Sequence, residues 1–211
     1  MPNRKLLYSL VCGLALLASA SAQQDRKNEI GLLLGGTVTP NVGITGQSEP
    51  VEIGAGLTFQ ATYARQLLRR PAAALYLEVP FLAVPLQNLS SSNGGVPANY
   101  DSLFVTPGVR LKLSPQSRLS PWFSLGGGYA LFDVSKRRID GSANPGPIGV
   151  SRGAVQFGAG LDLRTPIKVL VPLGLRLEAR DLYSGKPNYN ANTGGGFQHN
   201  VALSGGLVLR F

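Results

Sequence analysis

In the stretch GAVQFGAGLDLR, 153–164, apolar and polar positions alternate without a break. Val155, Phe157, Ala159, Leu161 and Leu163 share one parity, and Gln156, Gly158, Gly160, Asp162 and Arg164 share the other. A helix would scatter both sets around its circumference, whereas a strand sends successive side chains to opposite faces, so a period of two predicts a strand with one apolar face. PLGLRLEAR, 172–180, repeats the pattern, with Leu173, Leu175, Leu177 and Ala179 set against Arg176, Glu178 and Arg180. Weaker alternation marks 28–38, 53–65, 73–84, 102–113, 121–133 and 199–211, which makes eight expected strands. The last of them ends in SGGLVLRF, where Leu207, Leu209 and Phe211 oppose Gly206, Val208 and Arg210. An apolar strand that runs to the final residue, where chains ordinarily fray, needs something to hold it.

The connections alternate in length. TPNVGITGQSEPVE, LQNLSSSNGGVPANYD, SKRRIDGSANPGPIGV and SGKPNYNANTGGGFQ are long and rich in Gly, Pro, Asn and Ser, while LLRRPAA, SPQSRLS and PIKVLV are short. Four long loops and three short turns around an even number of strands match a bacterial outer-membrane barrel, with its turns on the periplasmic side and its loops outside. The expected strands are close to the ~9–11 residues that a tilted membrane strand requires. A lipocalin-like soluble barrel would show the same alternation with its apolar face turned inward. The polar face of 53–65, however, is Gly54, Gly56, Thr58, Thr62 and Ala64. That is a poor surface for water and a suitable lining for a narrow lumen. Tyr63, Phe81, Trp122, Phe123, Phe132, Tyr183 and Phe211 fall near expected strand ends, where interfacial aromatic girdles lie. Pro80 and Pro107 interrupt expected strands and mark bulges or boundaries. The glycines at 126–128 imply a sharp bend or close packing beside a large lumen side chain.

Composition supports a membrane fold. Charged residues make up 15% of the chain, against ~25% in ordinary soluble domains, while 44% is hydrophobic and Gly reaches 27 and Pro 15. The only strand structure that crosses a bilayer is a closed barrel. At the start of the chain, Arg4, Lys5, the apolar run 6–17 and the small residues Ala20, Ser21 and Ala22 read as an export signal cleaved after Ala22. The run is shorter than the ~20 residues of a spanning helix. Cys12 lies in the middle of it, where a lipoprotein signal would not place its cysteine. The expected organisation is a signal at 1–22, a short segment at 23–27 and a barrel at 28–211. Cleavage removes the one cysteine and leaves 18 basic against 11 acidic residues, a net of about +7, in a chain without a nucleic-acid motif.

These residues resemble the small eight-stranded outer-membrane β-barrels, of the type of the transmembrane domain of outer-membrane protein A. The closing residues carry the likeness. Ser204, Gly206, Leu209 and Phe211 fill the pattern that barrel-assembly machinery reads in such proteins, and EARDLYSGKP, 178–187, is similar to an element that recurs in uncharacterised barrels of this kind. The resemblance implies an all-β, antiparallel, up-and-down transmembrane barrel in the outer membrane of a Gram-negative-type envelope. Its expected partners are outer-membrane lipids including lipopolysaccharide, and the assembly machinery. The expected state is a monomer, without the peptidoglycan-binding domain of larger members.

Three function classes follow: a structural or surface-interaction barrel, a small porin-like passive channel, and an enzyme acting on lipid A or phospholipid. An eight-stranded barrel is just wide enough for side chains to fill, which disfavours the open channel. On the inward parity lie Glu78, Asp162 and Glu178 with Arg110, Lys112, Arg164, Arg176, Arg180 and Arg210. Buried ions must pair. Symmetric hairpins would set Asp162 opposite Arg176 and Glu78 opposite Arg110, with Gln156 and backbone carbonyls serving the surplus bases. For catalysis, His199 and Ser204 are five residues apart and so on opposite faces of a strand, which is poor geometry for a base and its nucleophile. One histidine and no mature cysteine predict neither a metal nor a cofactor site. The basic run Lys136, Arg137 and Arg138 in the third long loop is a candidate contact for lipopolysaccharide phosphates.

Overall fold

The computed structural model of the chain describes residues 27–92, 94–168 and 172–211. The expected export signal at 1–22 lies outside these residues, as does 23–26. The strands are β1 (Asn28–Val38), β2 (Glu52–Ile53), β3 (Gly56–Arg69), β4 (Ala73–Ser90), β5 (Asn99–Val105), β6 (Gly108–Leu113), β7 (Leu119–Val134), β8 (Gly149–Lys168), β9 (Pro172–Gly185) and β10 (Phe197–Arg210). Neighbours in the chain pair antiparallel around a ring in which β5 and β6 together form one stave. The two-residue β2 pairs with the loop end of β4. β10 closes the ring on β1, from Glu29 opposite Arg210 to Val38 opposite Val201. Phe211, which continues β10, exchanges two 2.9 Å backbone hydrogen bonds with Asn28. The last residue is therefore held by the first strand.

Several strands run further than the apolar pattern. β4 continues through Gln87, Asn88 and Ser90, β8 begins at Gly149 and β9 reaches Gly185. Polar residues can extend a ladder whose neighbour supplies the bonds, so hydrophobic alternation ends before the pairing does. β3, by contrast, begins at Gly56, because Ile53 belongs to β2.

The fourth stave breaks at Thr106–Pro107, between β5 and β6, while β7 runs continuously past the gap and Gly127 donates to the Pro107 carbonyl at 3.0 Å. The glycine run answers this break. A Cβ on Gly126 would strike the carbonyls of Thr106 and Pro107, and one on Gly128 that of Val105. The run thus lies chiefly against backbone, with the buried Gln156 side chain also close to Gly126. Pro80 stays within β4, opposite Thr62, and β4 shifts register between Val84 and Gln87, around Pro85.

The outside of the ring is apolar, with Leu34, Leu57, Phe59, Phe123, Phe157, Leu177 and Leu203 all exposed. A closed sheet with this exterior buries it in lipid, which settles the inside-outside question left open by alternation. Tyr63, Phe81, Phe123 and Tyr183 face outward, but Trp122 and Phe132 do not. Both are fully buried in the lumen, because even positions of β7 point inward, and they are not girdle residues.

Candidate functional site

The lumen contains most of the polar chemistry, in two parts. In the half nearer the turns, Glu29 is a hub. Its Oε2 accepts from Arg110 Nη2 at 2.6 Å and Arg176 Nη2 at 3.2 Å, and its Oε1 accepts from Arg210 Nε at 3.0 Å, with Lys112 Nζ at 3.6 Å. Asp162 takes Arg176 through both carboxylate oxygens, at 2.7 and 2.9 Å, together with Arg210 at 3.1 Å and a short bond from Lys112. One layer up, Arg180 bonds Glu178 at 2.6 Å, Glu78 at 2.9 Å and Gln156 Oε1 at 2.5 Å, while Gln60 donates to Glu178 at 2.6 Å. Among them lies Trp122, with the guanidinium carbons of Arg176, Arg180 and Arg110 at 5.1, 5.4 and 5.5 Å from its ring. Cations over an aromatic face gain from its quadrupole. Gly160 on β8 makes room for that ring, since a Cβ there would press on it, while one on Gly158 would strike the Ser124 hydroxyl.

Of the expected pairs, Asp162 and Arg176 are in register and bonded. Glu78 stands opposite Gly108 rather than Arg110, which faces Tyr76. β4 shifts register between Val84 and Gln87, so symmetry about the 91–98 connection is lost there and the shifted register runs on through β5 and β6 alike; Glu78 and Arg110 nonetheless meet at 3.6 Å. Arg164 is not in the network. It is exposed at the rim and bonds the carbonyls of Pro115 and Gln116. Glu29, absent from the expected lumen acids, is central. Its parity with Gly31, Leu33, Gly35 and Thr37 could have revealed it, but the run Leu32, Leu33, Leu34 hides the alternation of β1.

The half nearer the loops combines an apolar cluster with neutral hydrogen-bonded side chains: Thr39 donates to Asn200 at 3.0 Å, and Gln198 donates to the same oxygen at 3.1 Å. Leu82, Val84, Phe104, Phe132 and Leu182 from the wall meet Val42, Ile44, Val51 and Val96 from the loops. Phe104 and Phe132 pack edge to face at 5.8 Å, and Tyr100 meets Phe132 and Tyr189 at 6.0 and 6.2 Å. Burial pushes the Tyr189 phenol well above its ordinary pKa, so it stays a neutral donor to Gln198 at 2.8 Å. At the opposite end a cavity of about 330 Å³ opens among Gln66, Tyr76, Lys112 and Arg210.

The remaining candidate residues lie apart from one another. Ser204 points into the lumen, 3.5 Å from Gln60 Oε1, and His199 faces outward, its Nδ1 2.8 Å from Asp181 Oδ2 and its ring against Tyr183. The two do not meet, and the neighbours of His199 on its own face of β10 are Phe197 and Val201. Of the closing residues, Gly206 faces inward, where a Cβ would press on the backbone of Leu32 and Leu33, while Leu209 and Phe211 are half-buried on the outside. Lys136, Arg137 and Arg138 lie on a small hairpin fastened to 94–98. Ala98 donates to the Arg137 carbonyl at 3.0 Å, and Ile139 donates to that of Val96 at 2.9 Å. Lys136 and Arg137 are exposed and Arg138 is half-buried. Hydrogen bonds from Ser142 hold the carboxyl of the adjacent Asp140 below its ordinary range, which keeps an anion beside them. Among the described residues, no group of three or more His, Cys, Asp and Glu side chains is placed to hold a metal.

No protein-family model and no curated protein sequence matches the chain. Solved structures do. Neisserial surface protein A is similar at a TM-score of 0.54 with 11% identity, over 87% of this chain and 97% of that one. The outer membrane protein OprG from Pseudomonas aeruginosa follows at 0.48, with 10% identity over 89% and 97%. The outer membrane enzyme PagL gives 0.43, with 16% identity over 87% and 99%. Ring closure, strand count, apolar exterior and the likeness to neisserial surface protein A agree: the chain has the fold of the small eight-stranded outer-membrane β-barrels.

Proposed function

We propose that the protein is an integral barrel of the bacterial outer membrane with a structural or surface-interaction role and a lumen closed to ions. One observation carries this reading. Trp122 and the three arginines around it fill the middle of the barrel, beneath a layer of packed aromatics. With its core so filled, the part of the molecule free to meet other components is its loop surface. On that surface Lys136 and Arg137 supply the cations for lipopolysaccharide phosphates, while Arg138 helps anchor the hairpin. Ser204, Gly206, Leu209 and Phe211 are the segment proposed for recognition by the assembly machinery. The barrel works as a monomer and not as an enzyme, a reading supported by the separation of His199 from Ser204.

The test is electrical. Purified protein in a planar bilayer is expected to pass no steady current. A stable open conductance that changes in Arg176→Ala would replace this reading with the passive channel.

A further inference from the structure

Outside the lumen, the charges are divided between the two ends of the barrel. Among the described residues, the acids not buried in the lumen are Glu49, Glu52, Asp101, Asp133, Asp140 and Asp181, and all six lie on the loops or the loop-side ends of strands. The end with the short turns has bases instead. Lys27, Arg65, Arg69, Arg70, Arg118 and Arg164 are all exposed there, and none is ion-paired with another described residue. Lys27 precedes β1, Arg65, Arg69 and Arg70 end β3 and begin its turn, and Arg118 and Arg164 meet where β7 starts and β8 ends. The backbone N–H of Arg164 donates to the Arg118 carbonyl at 2.8 Å.

The height of these bases relative to the membrane is set by an aromatic. Tyr63 faces outward on β3, and its hydroxyl donates to Asn28 Oδ1 at 2.9 Å, as an amphipathic ring does at the boundary of the hydrocarbon. Arg65 is on the same outer face two residues nearer the turn and pairs in register with Asn28, next to Lys27. Arg65 therefore lies near the turn-side margin of the apolar band, with the exposed Leu67 and Leu68 beyond it on β3, and its long side chain can reach lipid headgroups. Arg69 and Arg164 line the turn-end cavity, and the other four lie outside it.

We propose that this end of the barrel is a cationic collar for the phosphates of anionic phospholipids in the leaflet on the turn side. Unpaired exposed cations at headgroup depth attract anionic lipid over a distance of one Debye length, and arginine's planar fork suits a phosphate. Among the described residues, the acids outside the lumen all lie at the far end, away from the collar. It is a separate feature from the loop cations Lys136 and Arg137, which face the other leaflet.

The experiment compares association of spin-labelled phosphatidylglycerol and phosphatidylcholine with the full barrel in phosphatidylcholine vesicles. A severalfold preference for phosphatidylglycerol is expected, lost at ~1 M salt, where screening shortens the Debye length to ~3 Å. The variant Arg65→Gln/Arg70→Gln/Arg118→Gln should bring the preference close to one, and the corresponding triple change to Lys should keep most of it. A variant with Lys136 and Arg137 changed to Ser should retain the turn-side part. Folded migration on unboiled electrophoresis checks that each variant is a barrel. Equal association of the two lipids with the unaltered protein, or an unchanged preference in the Gln variant, would overturn the proposal. So would binding of the detergent-solubilised barrel to a soluble anionic polymer without lipid preference, which would assign the collar to a periplasmic partner.

Discussion

The turn-side half of the lumen is filled by ions and their partners, from Glu29 to Arg180, whereas the loop-side half is filled by an aromatic and aliphatic cluster beside neutral hydrogen-bonded side chains, Thr39, Gln87, Gln198 and Asn200 among them. Both fillings close the barrel, but they place different demands on it. An apolar filling asks for volume, and neighbours can shift to recover part of what a substitution removes. A charged filling asks for a specific partner at a specific position, because an ion left alone away from water keeps its desolvation penalty. In the charged half, four carboxylates face five bases, and Glu29 alone bonds or pairs with four of those bases. The difference has a structural origin. The turn-side half is bounded by strand walls alone, while the loop-side half also receives Val42, Ile44, Val51 and Val96 from the connections.

Three substitutions test this contrast. The largest effect is expected from Glu29→Gln, which keeps the shape of the hub and removes its charge. Leaving its bases under-compensated should lower stability by about 3–5 kcal/mol, read as a shift in urea unfolding of the folded barrel in lipid vesicles. Leu182→Ala opens a gap in the apolar half. Its cost should fall toward the lower end of the ~2–5 kcal/mol range, since the surrounding loop residues can close over the space. Leu182→Met conserves volume and should cost under ~1.5 kcal/mol. The two near-isosteric changes, Glu29→Gln and Leu182→Met, are the decisive pair. If they cost the same, the charged half tolerates an imbalance and the contrast fails. The smallest stability effect belongs to a residue pair in neither half. Changing Lys136 and Arg137 to Ser should move stability by no more than ~0.5 kcal/mol while weakening lipopolysaccharide binding and its salt dependence. Unchanged binding at low salt would leave these two as solvated surface.

Much of the barrel was legible in the chain. The alternation of β8 and β9 placed Asp162, Arg176, Glu178 and Arg180 inside, since parity is a local property and a one-residue slip would have put leucines in the lumen and arginines in lipid. The same rule applied to β7 would have placed Trp122 and Phe132 in the lumen. Their aromatic character and position near strand ends suggested a girdle instead. Glu29 went unseen because the three leucines that follow Gly31 mask the inward parity of β1, although Leu33 is buried in the lumen and its two neighbours face lipid.

Sequence by itself determined the strand period, the even count, the alternation of long loops with short turns, and the sign of each face, because all of these follow from the order of neighbouring residues. Only the tertiary structure decided which charges meet. Arg110 reaches Glu29 across 81 residues and Arg176 reaches it across 147, distances over which no local pattern operates. The register shift between Val84 and Gln87 changed the partner of Glu78, and three glycines became intelligible only when the carbonyls they pass were in place. Ring closure brings the first strand beside the last, and that contact both seats Phe211 and places Glu29 among the bases it serves.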